Sequence, residues 1–208
     1  MAPPYTSLDA CRRGSGDNTH MDVLLGLMLG MVAVMMLKRS EARQRIALLG
    51  GFLRKYQLEK HMTQLTDGYL RGAGEADPER AEPIWRNQEA TEAMVQAELD
   101  GLADDLKDVW GERLRVSRWP VGLPMATRLF PQASFDFRAL VQLHAKGLAQ
   151  ALRNDEGLSR KDRAFRATAE LLLFQHSCHW FCRSRTVASA RLLALHRTAY
   201  EQVLASVS

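Results

Sequence analysis

Hydrophobic positions in this chain form one uninterrupted apolar run near the N-terminus, followed by segments in which apolar side chains recur at helical spacing. The run covers residues 23–37 (VLLGLMLGMVAVMML). At about 1.5 Å of rise per residue the run is ~22 Å long as a helix, whereas the hydrocarbon core of a bilayer is roughly 30 Å thick. The long side chains of Lys38 and Arg39 extend the span into the headgroup region. The pattern therefore predicts an apolar anchor helix over residues 21–38 that crosses a membrane.

Two alternatives compete with a membrane span: a buried core helix, which the shortness of the run favours, and a cleaved signal peptide, whose apolar region has a similar length. A signal peptide carries its basic residues before the apolar region. Here Asp22 precedes the run, and four basic residues follow it within residues 38–45. The flanks favour an uncleaved span, and by the positive-inside rule they predict an outside N-terminus and a cytoplasmic C-terminal domain.

The first 20 residues are polar, are rich in Pro, Gly and Ser, and show no apolar period, so they predict a disordered tail. Met21 stands directly before Asp22 and the apolar run. That arrangement is a natural beginning for a membrane segment. We therefore expect that translation can begin at Met21, in which case residues 1–20 are an over-long start.

Residues 39–208 predict a helical domain, which makes the chain an all-α protein with one N-terminal apolar helix and a helical bundle. Its first segment, residues 40–71, is amphipathic. The adjacent Gly50 and Gly51 each lower helix stability by about 1 kcal/mol, so a bend or break is expected there. Residues 72–74 (GAG) should end this element.

An acidic helix follows, and we expect it to begin near Glu82, because Pro83 would disrupt a helix already under way. Its apolar stripe continues to about Trp110. Residues 111–133 contain three prolines and two glycines and show no period. This stretch predicts a long irregular loop.

The C-terminal third predicts two further helical regions. Ser134 can cap a helix over residues 135–153, and Ser159 with Asp162 resembles a capping box for the region after it. Residues 165–182 (FRATAELLLFQHSCHWFC) carry apolar side chains around the whole circumference. Such a helix is surrounded by others, so this segment is the expected centre of the core.

Composition agrees with one folded domain and an anchor. The chain has 208 residues, of which 46% are apolar and 25% charged, which excludes a wholly disordered chain and a protein with many membrane spans. The cysteines are Cys11, Cys178 and Cys182, an odd number without a disulfide framework. They favour a reducing compartment, in agreement with a cytoplasmic domain.

Charge is distributed unevenly along the chain. Residues 38–60 hold seven basic and two acidic side chains, residues 75–112 hold three and twelve, and residues 113–208 hold fifteen and six. Solvated faces of a bundle account for such blocks. No nucleic-acid partner is expected, because zinc-finger, RRM-like and basic-zipper signatures are absent and the basic residues do not alternate with aromatic ones.

One cluster has the composition of a metal or haem site: His176, Cys178, His179 and Cys182 lie within seven residues. On a helix the two cysteines share one face, while the two histidines lie on nearly the opposite face. A single ion cannot bind all four. A His pair or a Cys pair completed by another element stays open, as do buried structural roles.

Two smaller features point to binding. Gly26 and Gly30 form a G-x-x-x-G pair that would let a second apolar helix approach closely, which allows a homodimer in the membrane. Arg183, Arg185 and Arg191 follow the His/Cys cluster and are candidate ligands for an anionic headgroup or phosphate.

No catalytic motif occurs in the sequence, so enzymatic activity is unsupported. The first hypothesis is a membrane-anchored helical protein that acts as an interaction or scaffolding module for an unidentified protein partner. The alternative is a metal- or ligand-binding sensor built on the His/Cys cluster. No cofactor is firmly implied.

Overall fold

The computed structural model describes residues 15–207, with side chains from residue 19 onward, and confirms an all-α protein. A long N-terminal apolar helix is followed by packed helices. The helices are α1 (Ser15–Tyr56), α2 (Leu58–Gly74), α3 (Pro78–Asp105), α4 (Ala126–Leu129), α5 (Phe137–Arg153), α6 (Arg160–Cys182), α7 (Arg185–His196) and α8 (Tyr200–Ala205). Two short strands, β1 (Arg115–Ser117) and β2 (Ser134–Asp136), pair antiparallel with Val116 opposite Phe135.

The chain divides into two compact units, one ending at Glu41 and the other beginning at Ala42. Residues 1–14 of the predicted disordered tail lie outside the residues that the structure describes. Residues 15–20, which the composition also assigns to that tail, belong to α1.

The α1 helix continues past Gly50 and Gly51 to Tyr56, so the chain does not break at the glycines. Leu49 is buried in the core and Phe52 packs against it, and these contacts offset the low helix propensity of glycine. The break comes at Gln57, which adopts a left-handed conformation with φ 52° between α1 and α2. As predicted, α2 ends at the GAG sequence, at Gly74.

The acidic helix α3 begins at Pro78, four residues before the expected start. Asp77 caps it by accepting a hydrogen bond of 3.0 Å from the Glu79 N–H, and proline at the first helical position needs no backbone donor. Pro83 lies inside the helix, so the expectation that it would exclude one is wrong. Just after it, the buried Trp85 ring packs 6.2 Å from the Tyr69 ring of α2, and this contact helps to hold the helix.

The segment between α3 and α5 is irregular but ordered. It contains 3₁₀ turns at Leu106–Asp108, Gly111–Leu114 and Pro131–Ala133, together with β1 and α4. Ser134 belongs to β2 and does not cap α5, because its backbone pairs with Ser117 of β1. The cap of α5 is Asp136, which accepts a 2.9 Å hydrogen bond from the Arg138 N–H.

The α6 helix lies at the centre of the domain, as its all-round apolar pattern predicts. It packs against α2, α5, α7 and α8. Leu171 and Phe181 are almost fully buried, and the Phe181 ring stacks on Phe137 of α5. The predicted cap is confirmed, since Ser159 accepts a hydrogen bond from the Asp162 N–H. A smaller core cluster, which includes Leu173, joins α6 to α7 and α8.

Candidate functional site

The two cysteines of α6 face the core. Cys178 is buried, and burial raises the pKa of its thiol well above the usual range. Cys182 is half-buried, and burial raises its pKa to about 11, against the opposing effect of Arg45 and Arg183. Both thiols are therefore protonated at neutral pH. Because the thiolate is the nucleophile and the metal ligand, this environment favours inert structural cysteines.

His176 is the most enclosed member of the cluster. Its ring stacks on Tyr200 of α8 with centroids 4.4 Å apart, and its Nε2 lies 3.1 Å from the Ser189 Oγ of α7. Burial first, and then the positive charge of Arg185, lower the pKa of His176 to about 4. The imidazole is therefore neutral at physiological pH. Its Nδ1 is buried and has no hydrogen-bond partner among the described residues.

His179 lies in a narrow cleft that it shares with His176, Arg191 and His196. Burial, with the charge of Arg191, lowers its pKa. Within residues 15–207, no three His, Cys, Asp or Glu side chains are arranged so that they could hold a metal ion. The metal hypothesis for the cluster stays a prediction, without a third donor in the described part of the chain.

A serine, a histidine and a glutamate come together where α5 meets α6, a relationship that the sequence analysis did not anticipate. Nε2 of His144 lies 2.8 Å from Ser177 Oγ, and its Nδ1 lies 3.5 Å from Glu170 Oε2. The order resembles a hydrolytic triad. However, Ser177 and His144 are buried, and Ser177 Oγ donates its proton to the Leu173 carbonyl at 2.9 Å. A serine in this state is neither accessible nor activated, so the group joins two helices.

The three candidate anion-binding arginines do not form one site. Arg191 contributes to the cleft beside His179, and Arg185 places its guanidinium 5.9 Å from the ring centroid of Trp180. Arg183 is exposed directly after α6. Only Arg183 and Arg185 are neighbours at the junction of α6 and α7.

The apolar run of α1 is long and apolar enough to cross a membrane, and the most apolar part is not buried against any described residue. Every large apolar side chain from Met21 to Leu37 is between 48% and 67% exposed. Gly26 and Gly30 face open space, with no described atom near the position that a Cβ would occupy. The G-x-x-x-G notch is thus available to a second helix.

An open groove follows the outer surface where α1 ends and α2 begins, with a volume of about 1280 Å³. Leu53 and Leu70 supply apolar surface, and Leu70 is 72% exposed. Its other lining residues are mostly polar or charged and include both signs: Arg54, Gln57, Glu59, Lys60, Thr63, Gln64, Asp67 and Arg71. The groove exceeds the usual size of a small-molecule pocket, roughly 300–1,000 Å³. We call it the α1/α2 groove.

A second exposed apolar surface lies on residues 118–130, which we call the 118–130 segment. Its large apolar side chains are 38% to 64% exposed: Trp119, Val121, Leu123, Met125, Leu129 and Phe130. The Trp119 and Phe130 rings stack with centroids 5.0 Å apart, so the two ends of the segment meet. The irregular sequence marked this stretch as a loop, but did not indicate that its apolar side chains would face solvent.

Comparison with known protein families, curated proteins and solved structures gives no match to this chain.

Proposed function

We propose that this chain is a single-pass membrane protein whose helical domain is an interaction module on the cytoplasmic side of the membrane. The exposure of the apolar run carries the proposal. Side chains of this size in water cost about 1.5–3 kcal/mol each relative to a buried position, so a continuous exposed run requires an apolar surrounding. A lipid bilayer provides that surrounding over the whole circumference of the helix.

The alternatives of the sequence analysis have less support. A core helix buries its apolar residues, whereas this run is exposed on every side. A signal peptide passes the same test of length and hydropathy, but the helix continues without a break from the run to Tyr56. The basic residues that follow Leu37 support an orientation with residues 42–208 in the cytoplasm.

The α1/α2 groove is the surface that we assign to a protein partner. It is open along its length, and it offers the exposed Leu70 together with both Arg71 and Asp67. A mixed lining of this kind matches an amphipathic helix, which supplies apolar anchors and complementary charges along one face. The Gly26/Gly30 notch would in addition allow two copies to pair inside the bilayer.

The anchor is tested by placing charges in the middle of the run. Leu27→Lys and Val32→Lys together should move the full chain from the carbonate-resistant membrane fraction to the carbonate-extracted soluble fraction, because each lysine near the bilayer centre costs about 2.5–3.5 kcal/mol. Circular dichroism in detergent should show the domain still folded, since neither side chain is buried. Unfolding of the double variant would instead identify the run as core.

The groove is tested by a photoreactive amino acid at Leu70, with Leu143 of α5 as the matched control, since it is also an exposed helical leucine at 62%. Irradiated membranes should yield a discrete cross-linked product from position 70 and none from position 143. Equal products from both positions would argue against a dedicated groove.

Pairing through the glycines is tested by Gly26→Leu and Gly30→Leu. These changes should abolish a cross-linked dimer, while Gly51→Leu, at an exposed position in the same helix, should preserve it.

A further inference from the structure

The 118–130 segment combines exposed apolar side chains with unpaired positive charge. Residues 118–130 contain two arginines and no acidic residue, and Arg183 and Arg185 follow at the junction of α6 and α7. Arg118, Arg128 and Arg183 have no ion-pair partner among the described side chains. A surface with this composition is complementary to a partner that has a negatively charged surface and an apolar region beneath it.

Hydrogen bonds join the segment to the arginines at the start of α7. The Pro120 carbonyl accepts hydrogen bonds from the Thr186 hydroxyl at 2.7 Å and from the Thr186 N–H at 3.1 Å. The Trp180 indole N–H donates to the Ser117 carbonyl at 3.1 Å. Arg183 and Arg185 therefore lie beside the segment, and the two arginine groups belong to one surface.

Chain connectivity limits the distance between the apolar run and Arg45. Arg45 Nη1 donates a 3.0 Å hydrogen bond to the Phe181 carbonyl, next to Trp180, whose indole contacts Ser117 directly before the segment. Arg45 follows Leu37 by eight residues. Even a fully extended chain of that length covers at most about 28 Å. Arg45, which contacts the domain at Phe181, therefore lies within that distance of Leu37.

We propose that the 118–130 segment, with Arg183 and Arg185, docks onto the surface of an anionic bilayer. The amphipathic Trp119 ring enters the interfacial region together with the apolar Phe130, and the arginines bind lipid phosphates. The proposal rests on the proposed anchor, which places the domain beside the anionic cytoplasmic leaflet. A nucleic acid would match the arginines, but it leaves the aliphatic side chains Val121, Leu123 and Leu129 without a partner.

The test uses the full chain in nanodiscs with brominated acyl chains, which quench tryptophan fluorescence on contact. The lipid is either phosphatidylcholine alone or phosphatidylcholine with one third phosphatidylserine. The Trp119 signal is the difference between the native chain and Trp119→Phe, and Trp110→Phe is the matched control, because Trp110 is 76% exposed and lies outside the segment. Trp119 should be quenched more strongly in the anionic nanodiscs, and Trp110 should be quenched in neither.

Arginine variants test the charge contribution. Arg118→Gln and Arg128→Gln should each shift the docked-to-free ratio about fivefold toward the free state, since a basic residue near an anionic surface contributes about this factor. Arg80→Gln and Arg86→Gln, exposed on α3 and paired with Asp77 and Glu82, should leave it unchanged.

Three results would overturn the proposal. The first is a chain that stays in the nanodisc but shows no quenching of Trp119. This result would contradict the docking but not the proposed anchor. The second is Trp119 quenching that does not depend on the lipid charge or on the arginine substitutions. The third is a change in Trp119 emission that an RNA oligonucleotide produces and the lipid does not. If the chain does not enter nanodiscs, the anchor fails. Sedimentation with anionic vesicles then decides, with arginine-dependent pelleting in support and no pelleting against.

Discussion

The guanidinium of Arg163 forms a two-pronged ion pair with the carboxylate of Glu92 inside the domain, at 2.8 and 3.0 Å. Glu92 also accepts a 2.7 Å hydrogen bond from the Tyr69 hydroxyl. Burial and the Glu92 charge raise the pKa of Tyr69, so the phenol stays a donor at any physiological pH. One buried carboxylate thus joins α2, α3 and α6.

Removal of the arginine should strongly destabilise the domain. Arg163→Met leaves Glu92 buried and unpaired, and we expect the free energy of unfolding to fall by about 3–5 kcal/mol. Arg163→Met with Glu92→Leu should recover much of that loss, because the uncompensated charge is then gone. Urea unfolding of the full chain in mild detergent, followed by circular dichroism, measures both.

Arg86→Met is the control for this series, because Arg86 pairs with Glu82 on the surface of α3. It should change the unfolding free energy by less than about 1 kcal/mol. An Arg163→Met variant as stable as this control would contradict the assigned role of the buried pair.

His176 should make the domain less stable in mild acid. Its pKa is lowered to about 4 in the folded protein, below the ordinary value of 6.5, so the unfolded chain binds more protons between these pH values. The contribution is fully present above pH 6.5 and falls as the pH drops to about 4, by up to about 3 kcal/mol. Unfolding at pH 7.5 and pH 5 should show a smaller loss for His176→Gln than for the native chain. Equal losses would contradict a buried neutral imidazole.

Gly72 should not tolerate a side chain, because a Cβ there would lie 2.9 Å from the buried Trp85 ring. Gly72→Ala should therefore lower the unfolding free energy by about 1–3 kcal/mol. Gly51 is the matched control, since it is exposed within α1 and a Cβ would meet no described atom. Gly51→Ala should raise stability by about 0.5–1 kcal/mol. The same sign at both positions in thermal unfolding would contradict the packing of α2 on α3.

The core thiols should react slowly. In a Cys11→Ser chain at pH 7.5, a maleimide should label Cys178 and Cys182 at least about 100-fold more slowly than a free thiol, because burial keeps both protonated. Mass spectrometry of samples quenched at successive times measures the labelling rates. Unfolding in urea should make both cysteines reactive. Rapid labelling of Cys182 in the folded chain, or stoichiometric metal in the purified protein, would instead favour the sensor hypothesis.

Periodicity and local capping signals account for much of the fold. The apolar run, the all-round apolar α6 and the Ser159 cap depend on residues close together in sequence, and the structure shows each of them. The expectations based on Pro83 and Ser134 were wrong because tertiary partners override local preference. Trp85 packs on Tyr69 and helps to hold the helix that contains Pro83, and β1 pairs with Ser134, which therefore lies in a strand.

The long-range relationships could not be read from the sequence. Arg163 and Glu92 are 71 residues apart, and His144 and Ser177 are 33 apart, with no pattern that links them. The surface of the 118–130 segment was equally hidden. Apolar residues in a loop can be buried or exposed, and only the folded structure shows that these are exposed.

The membrane span itself is tested most directly by cysteine accessibility in right-side-out membrane vesicles. The Cys11→Ser chain carries one new cysteine, Met21→Cys, Leu29→Cys or Ser40→Cys, and a membrane-impermeant maleimide is added. Position 21 should be labelled in intact vesicles, position 40 only after permeabilisation, and position 29 in neither state. Rapid labelling of position 29 in intact vesicles would show that the apolar run is not in the bilayer, and would contradict the account.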